Sequence, residues 1–378
     1  MTAAPDWSAG SLASVLPSVA DRLGVPQFRG RDVFDLPEAR RAVVVLVDGL
    51  GDDLLRQRGG HAPFLRGLLP AARRIPCGFP TTTATSMGSF GTGLPPGTHG
   101  LVGFQVLDPE TDRLLNELSW EDGPDPVRWQ PNDTVFEIAE AAGVAVTRIG
   151  PGFFDGSGLT NAALRGGRFT AARSLPERVD AAIAALGASP RSLVYLYWGD
   201  LDKIGHVHGA SSWQWGDELE SIDRSLGTLA ERVPDDTLIV VTADHGMVDV
   251  PFEDRLDLAY EPELMAGVRH LAGESRSLQL HVTPGEAAAV EAAWRESLGD
   301  RATILTREQA IDEGWFGPVR LDVVPRIGDL IVNMQGGFAV IHSLLMRPEV
   351  LRLLGLHGST SDAELAVPMI VVPPRRTP

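Results

Sequence analysis

The sequence predicts an α/β protein: a mostly parallel central sheet with helices on both faces, and a smaller α+β subdomain inserted before the core resumes. Three observations carry this expectation. Arg41–Val47 (RAVVVLV), Ser192–Trp198 (SLVYLYW) and Thr237–Thr242 (TLIVVT) are continuous apolar runs without alternation, as expected of parallel strands covered on both faces. Helix-period stretches separate them, which is how parallel strands are connected. Beyond residue 248 the pattern gives way to short mixed elements.

Taken in order, residues 1–40 read as a lead-in with a short helix over 12–23. The first strand ends in Asp48-Gly49, and acidic residues open a helix expected over 52–69. Pro80 and three threonines (Thr81, Thr82, Thr83) precede the small residues 84–91, the pattern of a loop entering a helix with hydroxyl caps. The same N-terminus would suit a bound anion. Residues 104–129 are polar, with prolines and tryptophans, and read as an excursion over the site. A helix over 134–142, a strand over 144–149, a loop over 150–167 and a helix over 175–186 lead to the second strand. The segment GDLDKIGHVHG and a long helix over 213–233 lead to the third, which ends in Asp244-His245. The late elements fall at 278–282, 286–298, Ala302–Thr306 and 329–333, and an apolar run over 367–372 follows His357. The expected organisation is a lead-in at 1–40, a catalytic core at 41–250, an inserted subdomain at 251–345 and a return to the core at 346–378.

Composition narrows the function. A hydrophobic share of 43% against 22% charged residues is that of a globular chain with a sizeable core. A net charge of −17 argues against binding a nucleic-acid backbone and implies that a phosphate-handling site would need cations. The single cysteine, Cys77, rules out an internal disulfide, fits a reducing compartment and reads as a small buried residue. No apolar run reaches the ~20 residues of a membrane helix, and the N-terminal stretch has no basic, long-apolar signal pattern. The expectation from these points is a cytoplasmic protein.

Three apolar strands ending in carboxylates, two of them with histidine, point to metal chemistry. A strand-end aspartate alone would be a cap or turn former. Asp202 and His206 stand four apart in D-x-x-G-H, so a single helical turn or tight loop can aim both at one ion. Asp244 and His245 are adjacent and can converge on one ion or diverge toward two, and His357 could close the set. Aspartate with histidine suits Zn²⁺ or a similar first-row ion. Two cations beside a helix-terminal threonine can activate a hydroxyl and stabilise a leaving oxygen, which points to phosphoryl or sulfuryl transfer. His99 reads as ordering its own turn, and His208 as lying near the substrate.

The pieces VVVLVDGLG (43–51), PTTTATSMGSFGTGLPPGTHG (80–100), DLDKIGHVHG (200–209), TADHGM (242–247) and LHG (356–358) occur in the order found in the alkaline phosphatase superfamily. The chain most resembles its nucleotide pyrophosphatase/phosphodiesterase branch over residues 43–358. The resemblance implies one Zn²⁺ (Mn²⁺ or another divalent ion being possible) held by Asp48, Thr83, Asp244 and His245, and a second held by Asp202, His206 and His357. It implies Thr83 as the nucleophile on a small-molecule phosphate ester or pyrophosphate, with a phospho-threonine hydrolysed afterwards. The chain departs from the family where Ser86 replaces an asparagine three residues after the nucleophile, and where Ala84 and Thr85 replace an aromatic-proline pair. Ser86, Lys203 and His208 are candidate substrate contacts, and Phe153, Phe154, Trp120 and Trp129 candidate pocket walls. Two alternatives are a phosphomonoester or phosphonate hydrolase or phosphomutase on the same scaffold, and a metal-stabilised binding protein without turnover.

Overall fold

A computed structural model describes Trp7 and residues 10–376. Its central sheet has seven strands: β1 (Arg41–Val47), β2 (Arg73–Pro76), β3 (Ala145–Gly150), β4 (Arg168–Ala171), β5 (Ser192–Trp198), β6 (Thr237–Thr242) and β7 (Ala366–Val372). Their spatial order is β2-β7-β6-β1-β5-β3-β4. β1 pairs in parallel with both β5 and β6, β3 pairs in parallel with β4 and β5, and β7 runs antiparallel to its neighbours β6 and β2. The three strands legible from their apolar runs are therefore the adjacent centre of the sheet. β1 and β6 are buried almost throughout because helices cover both faces, which is why their sequences do not alternate.

The helices follow from local chemistry. Trp213–Arg232 buries Trp215, Leu219, Ile222, Leu226 and Leu229, spaced at alternating fours and threes along one face, and the Ser212 hydroxyl caps it by accepting from the Trp215 N–H. The helix expected over 52–69 is instead three short ones, Asp52–Gln57, Gly59–His61 and Pro63–Leu68. Gly59-Gly60 and Pro63 break it, since glycine costs helix stability and proline lacks the N–H that would continue the ladder. The 150–167 stretch contains a helical turn, Gly158–Ala163, capped by Ser157. The short edge strands β2 and β4 carried too little apolar pattern to be read from sequence.

A second sheet orders Val268–Glu274, Ser277–Val282, Leu330–Met334 and Ala302–Thr306, all antiparallel. It has its own core, in which Val290, Trp294 and Leu298 of the helix Ala287–Leu298 pack with Leu278, Leu280, Ile304 and Val332. The hairpin Gln105–Asp108/Arg113–Asn116 leans on this sheet: Gln279 Nε2 donates to the Val102 carbonyl at 2.7 Å, and His270 meets Asp112 at 3.0 Å.

One ion pair fastens the second sheet to the segment that leads into β7. Arg276 and Glu364 are both fully buried, with Nε–Oε1 at 3.0 Å and Nη2–Oε2 at 2.6 Å. Arg276 Nη1 also donates to the carbonyls of Gly336 and Phe338. Removing one partner of such a pair strands the other charge away from water. Arg276→Met is expected to lower stability to denaturant unfolding by ~3–5 kcal/mol; a loss under ~1 kcal/mol would show that the pair does not tie the sheets together.

Candidate active site

The site lies at the carboxyl ends of β1, β5 and β6, where ligands gather in open parallel sheets. Asp48 follows β1 directly, and its N–H donates to the Trp198 carbonyl at the end of β5. Gly49 then turns with φ +75°, and a Cβ there would lie 3.0 Å from the Asp202 Cβ, so glycine lets the end of β1 close on the helical segment that follows β5. β5 runs into the helix Asp200–His208, where positions four apart share a face and bring His206 Nε2 to 3.2 Å from Asp202 Oδ2. Asp200 is instead paired with Lys203 at 2.7 Å on the exposed side of that helix.

Two groups of possible metal ligands result. Asp48, Asp244 and His245 bring ligand atoms within 4.8 Å of one another, and so do Asp202, His206 and His357. The groups abut: the His245 and His357 rings stack with centroids 3.7 Å apart. Asp244 and His245 thus converge on one group, leaving the strand on a turn in which the Gly49 and His245 N–H groups donate to Asp244 Oδ1. Thr83 sits at the edge of this group with Oγ1 3.2 Å from His245 Nε2.

Each histidine is oriented by its far nitrogen. His206 Nδ1 faces the Gly355 carbonyl at 2.7 Å, His357 Nδ1 the Thr81 carbonyl at 2.7 Å, and His245 Nδ1 the Gly246 carbonyl at 3.0 Å. A carbonyl only accepts, so the proton belongs on Nδ1 and all three Nε2 lone pairs face inward. On the acid side, Asp48 Oδ1, Asp202 Oδ1 and Asp244 Oδ2 are buried without a hydrogen-bond partner. Buried carboxylate oxygens rarely go unpaired. Three such oxygens beside three Nε2 atoms form a donor set that fits divalent cations of the zinc type.

The electrostatics divide the groups: despite its burial, the His206 imidazole is raised by Asp202 and the Gly355 carbonyl. Burial, then the charges of Asp244 and Asp202, pushes the Asp48 carboxyl well above its usual range. Burial would also raise Asp202, but His206, His245 and His357 outweigh it and hold that carboxyl low. Burial and the neighbouring His245 and His206 push the His357 imidazole well below its usual value, keeping it neutral as a ligand must be.

The helix Thr83–Thr92 departs from the hydroxyl-cap expectation. Thr82 occupies the cap position, but its side chain makes no capping bond. The Thr81 hydroxyl donates to the Ser359 carbonyl and accepts from the Gly358 N–H, tying the loop to the His357 segment. The first N–H groups of the helix are thus left without a side-chain cap. Ser86 is fully buried and its hydroxyl donates to the Asp244 carbonyl at 2.6 Å, so it links two site elements. Lys203 and His208 lie on the exposed face of their helix, occupied with Asp200 and Gln214. Trp120 and Trp129 are buried packing residues rather than pocket walls, whereas Phe154 packs on Tyr197 and Phe153 is 73% exposed against it. Cys77 is buried and burial raises its thiol, which excludes a nucleophilic role. His99 bonds Ser89 Oγ and the Leu101 N–H within its own turn.

Two site residues went unread in the sequence. Tyr197 donates its hydroxyl to Asp48 Oδ2; its place at the end of β5, beside the end of β1, was the available signal. Glu274 lies 3.5 Å from His357 Nδ1 and comes from the second sheet, where nothing in the sequence marked it.

Comparisons with known proteins bear on the family and the fold. Residues 42–360 match the family model described as type I phosphodiesterase / nucleotide pyrophosphatase. An uncharacterised pyrophosphatase/phosphodiesterase of Schizosaccharomyces pombe is 25% identical over 219 residues, 54% of this chain and 44% of that protein. Ectonucleotide pyrophosphatase/phosphodiesterase family member 7 of Mus musculus is 36% identical over 64 residues, 16% of this chain and 15% of that protein. The chain spans less than half the length of these curated relatives. Among solved structures, an inactive threonine-to-alanine variant of murine ectonucleotide pyrophosphatase/phosphodiesterase 5 in complex with AMP superposes with a TM-score of 0.71 at 19% identity, covering 89% of this chain and 88% of that one. Phosphonoacetate hydrolase from Sinorhizobium meliloti 1021, in complex with phosphonoacetate, superposes at 0.67 with 20% identity, covering 88% and 90%.

Asp48 disfavours ionisation in the folded, cation-free chain, so its contribution to stability is present at acid pH and lost as pH rises through its raised pKa. Added Zn²⁺ is therefore expected to raise the unfolding midpoint by several degrees at neutral pH, and by less near pH 5. A midpoint indifferent to Zn²⁺ at neutral pH would contradict a cation-holding site. The type I phosphodiesterase / nucleotide pyrophosphatase family, within the alkaline phosphatase superfamily, is the family to which this chain belongs.

Proposed function

We propose that the chain is a divalent-cation-dependent hydrolase of phosphate esters, of the phosphodiesterase or nucleotide pyrophosphatase type, with Thr83 as its nucleophile. The observation that carries this reading is the position of Thr83: its Oγ1 lies at the uncapped start of a ten-residue helix, 3.2 Å from Nε2 of His245, the histidine grouped with Asp48 and Asp244, each of which keeps an unpaired carboxylate oxygen. The inactive threonine-to-alanine variant among the solved relatives supports it for that protein, and the AMP bound there supports a nucleotide-sized substrate.

In this reading Asp48, Thr83, Asp244 and His245 would hold one cation and Asp202, His206 and His357 a second, with zinc the best match to mixed carboxylate and imidazole donors. Bound cations would lower the pKa of the threonine hydroxyl and neutralise charge on the attacking and departing oxygens. The open N–H groups and dipole of the helix Thr83–Thr92 orient the non-bridging phosphoryl oxygens. Thr83 Oγ1 bonds to phosphorus as the bond to the leaving oxygen breaks, giving a phospho-threonine and an alcohol or phosphate that takes up a proton. Water then attacks phosphorus, restoring the Thr83 hydroxyl and releasing the phosphate monoester.

Tyr197 orients Asp48 through its hydroxyl, and Phe154 and Phe153 continue outward from Tyr197 as an aromatic ledge beside the site. That ledge favours a diester carrying an apolar or aromatic second group. Lys203, the one lysine in the chain, is spent on Asp200, so it does not supply the free cation that a dianionic monoester would call for. The single cysteine is buried and makes no disulfide, consistent with a reducing compartment.

Thr83→Ala is expected to lower hydrolysis of bis(p-nitrophenyl) phosphate by ~10³-fold or more while most of the zinc, measured by atomic absorption at saturating Zn²⁺, is retained by Asp48, Asp244 and His245 and by the second group. Unchanged hydrolysis would remove Thr83 from the mechanism. Faster turnover of p-nitrophenyl phosphate than of the diester would shift the reading to a monoesterase.

A further inference from the structure

The strand Val268–Glu274 ends, at Glu274, against the loop that carries His357. In the antiparallel register Glu274 stands opposite Ser277, and Ser277 opposite Asn333, so the three share one face of the second sheet. That face meets residues 357–361. Asn333 Nδ2 donates to Thr360 Oγ1 at 2.8 Å, and Ser359 Oγ donates to the Met334 carbonyl at 2.6 Å. Glu274 Oε2 lies 3.5 Å from His357 Nδ1.

Gly358 is what admits the carboxyl group. Its φ is +131°, and a Cβ there would fall 2.7 Å from Glu274 Cγ and 2.8 Å from Cδ. The His357 Nδ1 is therefore hydrogen-bonded to the Thr81 carbonyl at 2.7 Å, with the Glu274 carboxyl beside it at 3.5 Å. A ring turned over to present Nδ1 to the site would lose the Thr81 bond and set a C–H against two oxygens.

We propose that Glu274 is a positioning residue for the second cation site: the second sheet delivers its carboxyl group behind His357, where it holds the imidazole with Nδ1 outward and Nε2 toward Asp202 and His206. The inference rests on the two-cation reading above and extends it, making the second sheet a structural part of the site. The role is one of placement, through an oxygen at the position of Oε2. An amide oxygen in that place therefore serves nearly as well as a carboxylate.

The test reads cation binding and not turnover. The cation-free full chain is titrated with Zn²⁺ against a chromogenic chelator, and with Co²⁺ while the d–d absorption is followed. Glu274→Ala is expected to weaken the second cation by ~10–100-fold and to alter the Co²⁺ spectrum of that site. Glu274→Gln, the closest in shape, is expected to return affinity to within about threefold of the unaltered chain and to restore the spectrum. Circular dichroism of both variants reports whether each has folded, and the Gln variant carries the test if the Ala variant has not. The proposal is overturned if Glu274→Ala binds the second cation within about twofold of the unaltered chain, or if Glu274→Gln loses as much as Glu274→Ala. An unaltered chain that binds only one cation or none would sink the two-cation reading along with this one; two cations bound equally well without Glu274 would sink this one alone.

Discussion

Three carboxylates brought out of water within reach of one another are the constraint that the rest of this structure answers. Asp48, Asp202 and Asp244 each keep a buried oxygen with no hydrogen-bond partner. Asp48 responds to burial and to its neighbours by favouring its proton. Isolated charges are not tolerated in such surroundings unless paired or bound to metal. Of the inward-facing imidazoles, burial and the neighbouring His245 and His206 hold His357 neutral, whereas His206, despite its burial, is raised by Asp202 and the Gly355 carbonyl. In the proposed reading a divalent cation supplies the rest of the balancing charge.

Placing those groups takes most of the fold. β1 at the centre, flanked by β5 and β6, aligns three strand ends in register, so that Asp48, the helix bearing Asp202 and His206, and the Asp244-His245 turn open on the same edge. The helix beginning at Thr83 is locked on through Ser86 and the Asp244 carbonyl. The His357 loop is gripped from two directions, by Thr81 on the core side and by Glu274, Asn333 and the Arg276–Glu364 pair on the side of the second sheet. A site assembled this way inherits its rigidity from packed elements instead of from flexible loops.

Much of this was legible in the amino-acid sequence, for definite physical reasons. Strands buried on both faces write continuous apolar runs, and Arg41–Val47, Ser192–Trp198 and Thr237–Thr242 stand where those runs stand. Ligands at strand ends follow such runs directly, so Asp48, Asp244 and His245 could be singled out, and the spacing of Asp202 and His206 suits one helix face. Where several local forces compete, sequence reading went astray. Residues 52–69 carry a helical pattern, but Gly59-Gly60 and Pro63 divide it. The threonine hydroxyls spend themselves on the His357 loop or face the site, a tertiary choice that no capping rule contains. Ser86, a candidate substrate contact, and Trp120 and Trp129, candidate pocket walls, are buried, which sequence context alone does not reveal. Glu274 was invisible because its role depends on a long-range approach across Gly358.

Anomalous diffraction from crystals grown with Zn²⁺ tests the central claim most directly. The account requires two strong peaks at the zinc edge, one bounded by Asp48, Asp244 and His245 with the Thr83 oxygen against it, the other by Asp202, His206 and His357. No peak at these residues, or a single ion elsewhere with Thr83 turned away from it, would contradict the account.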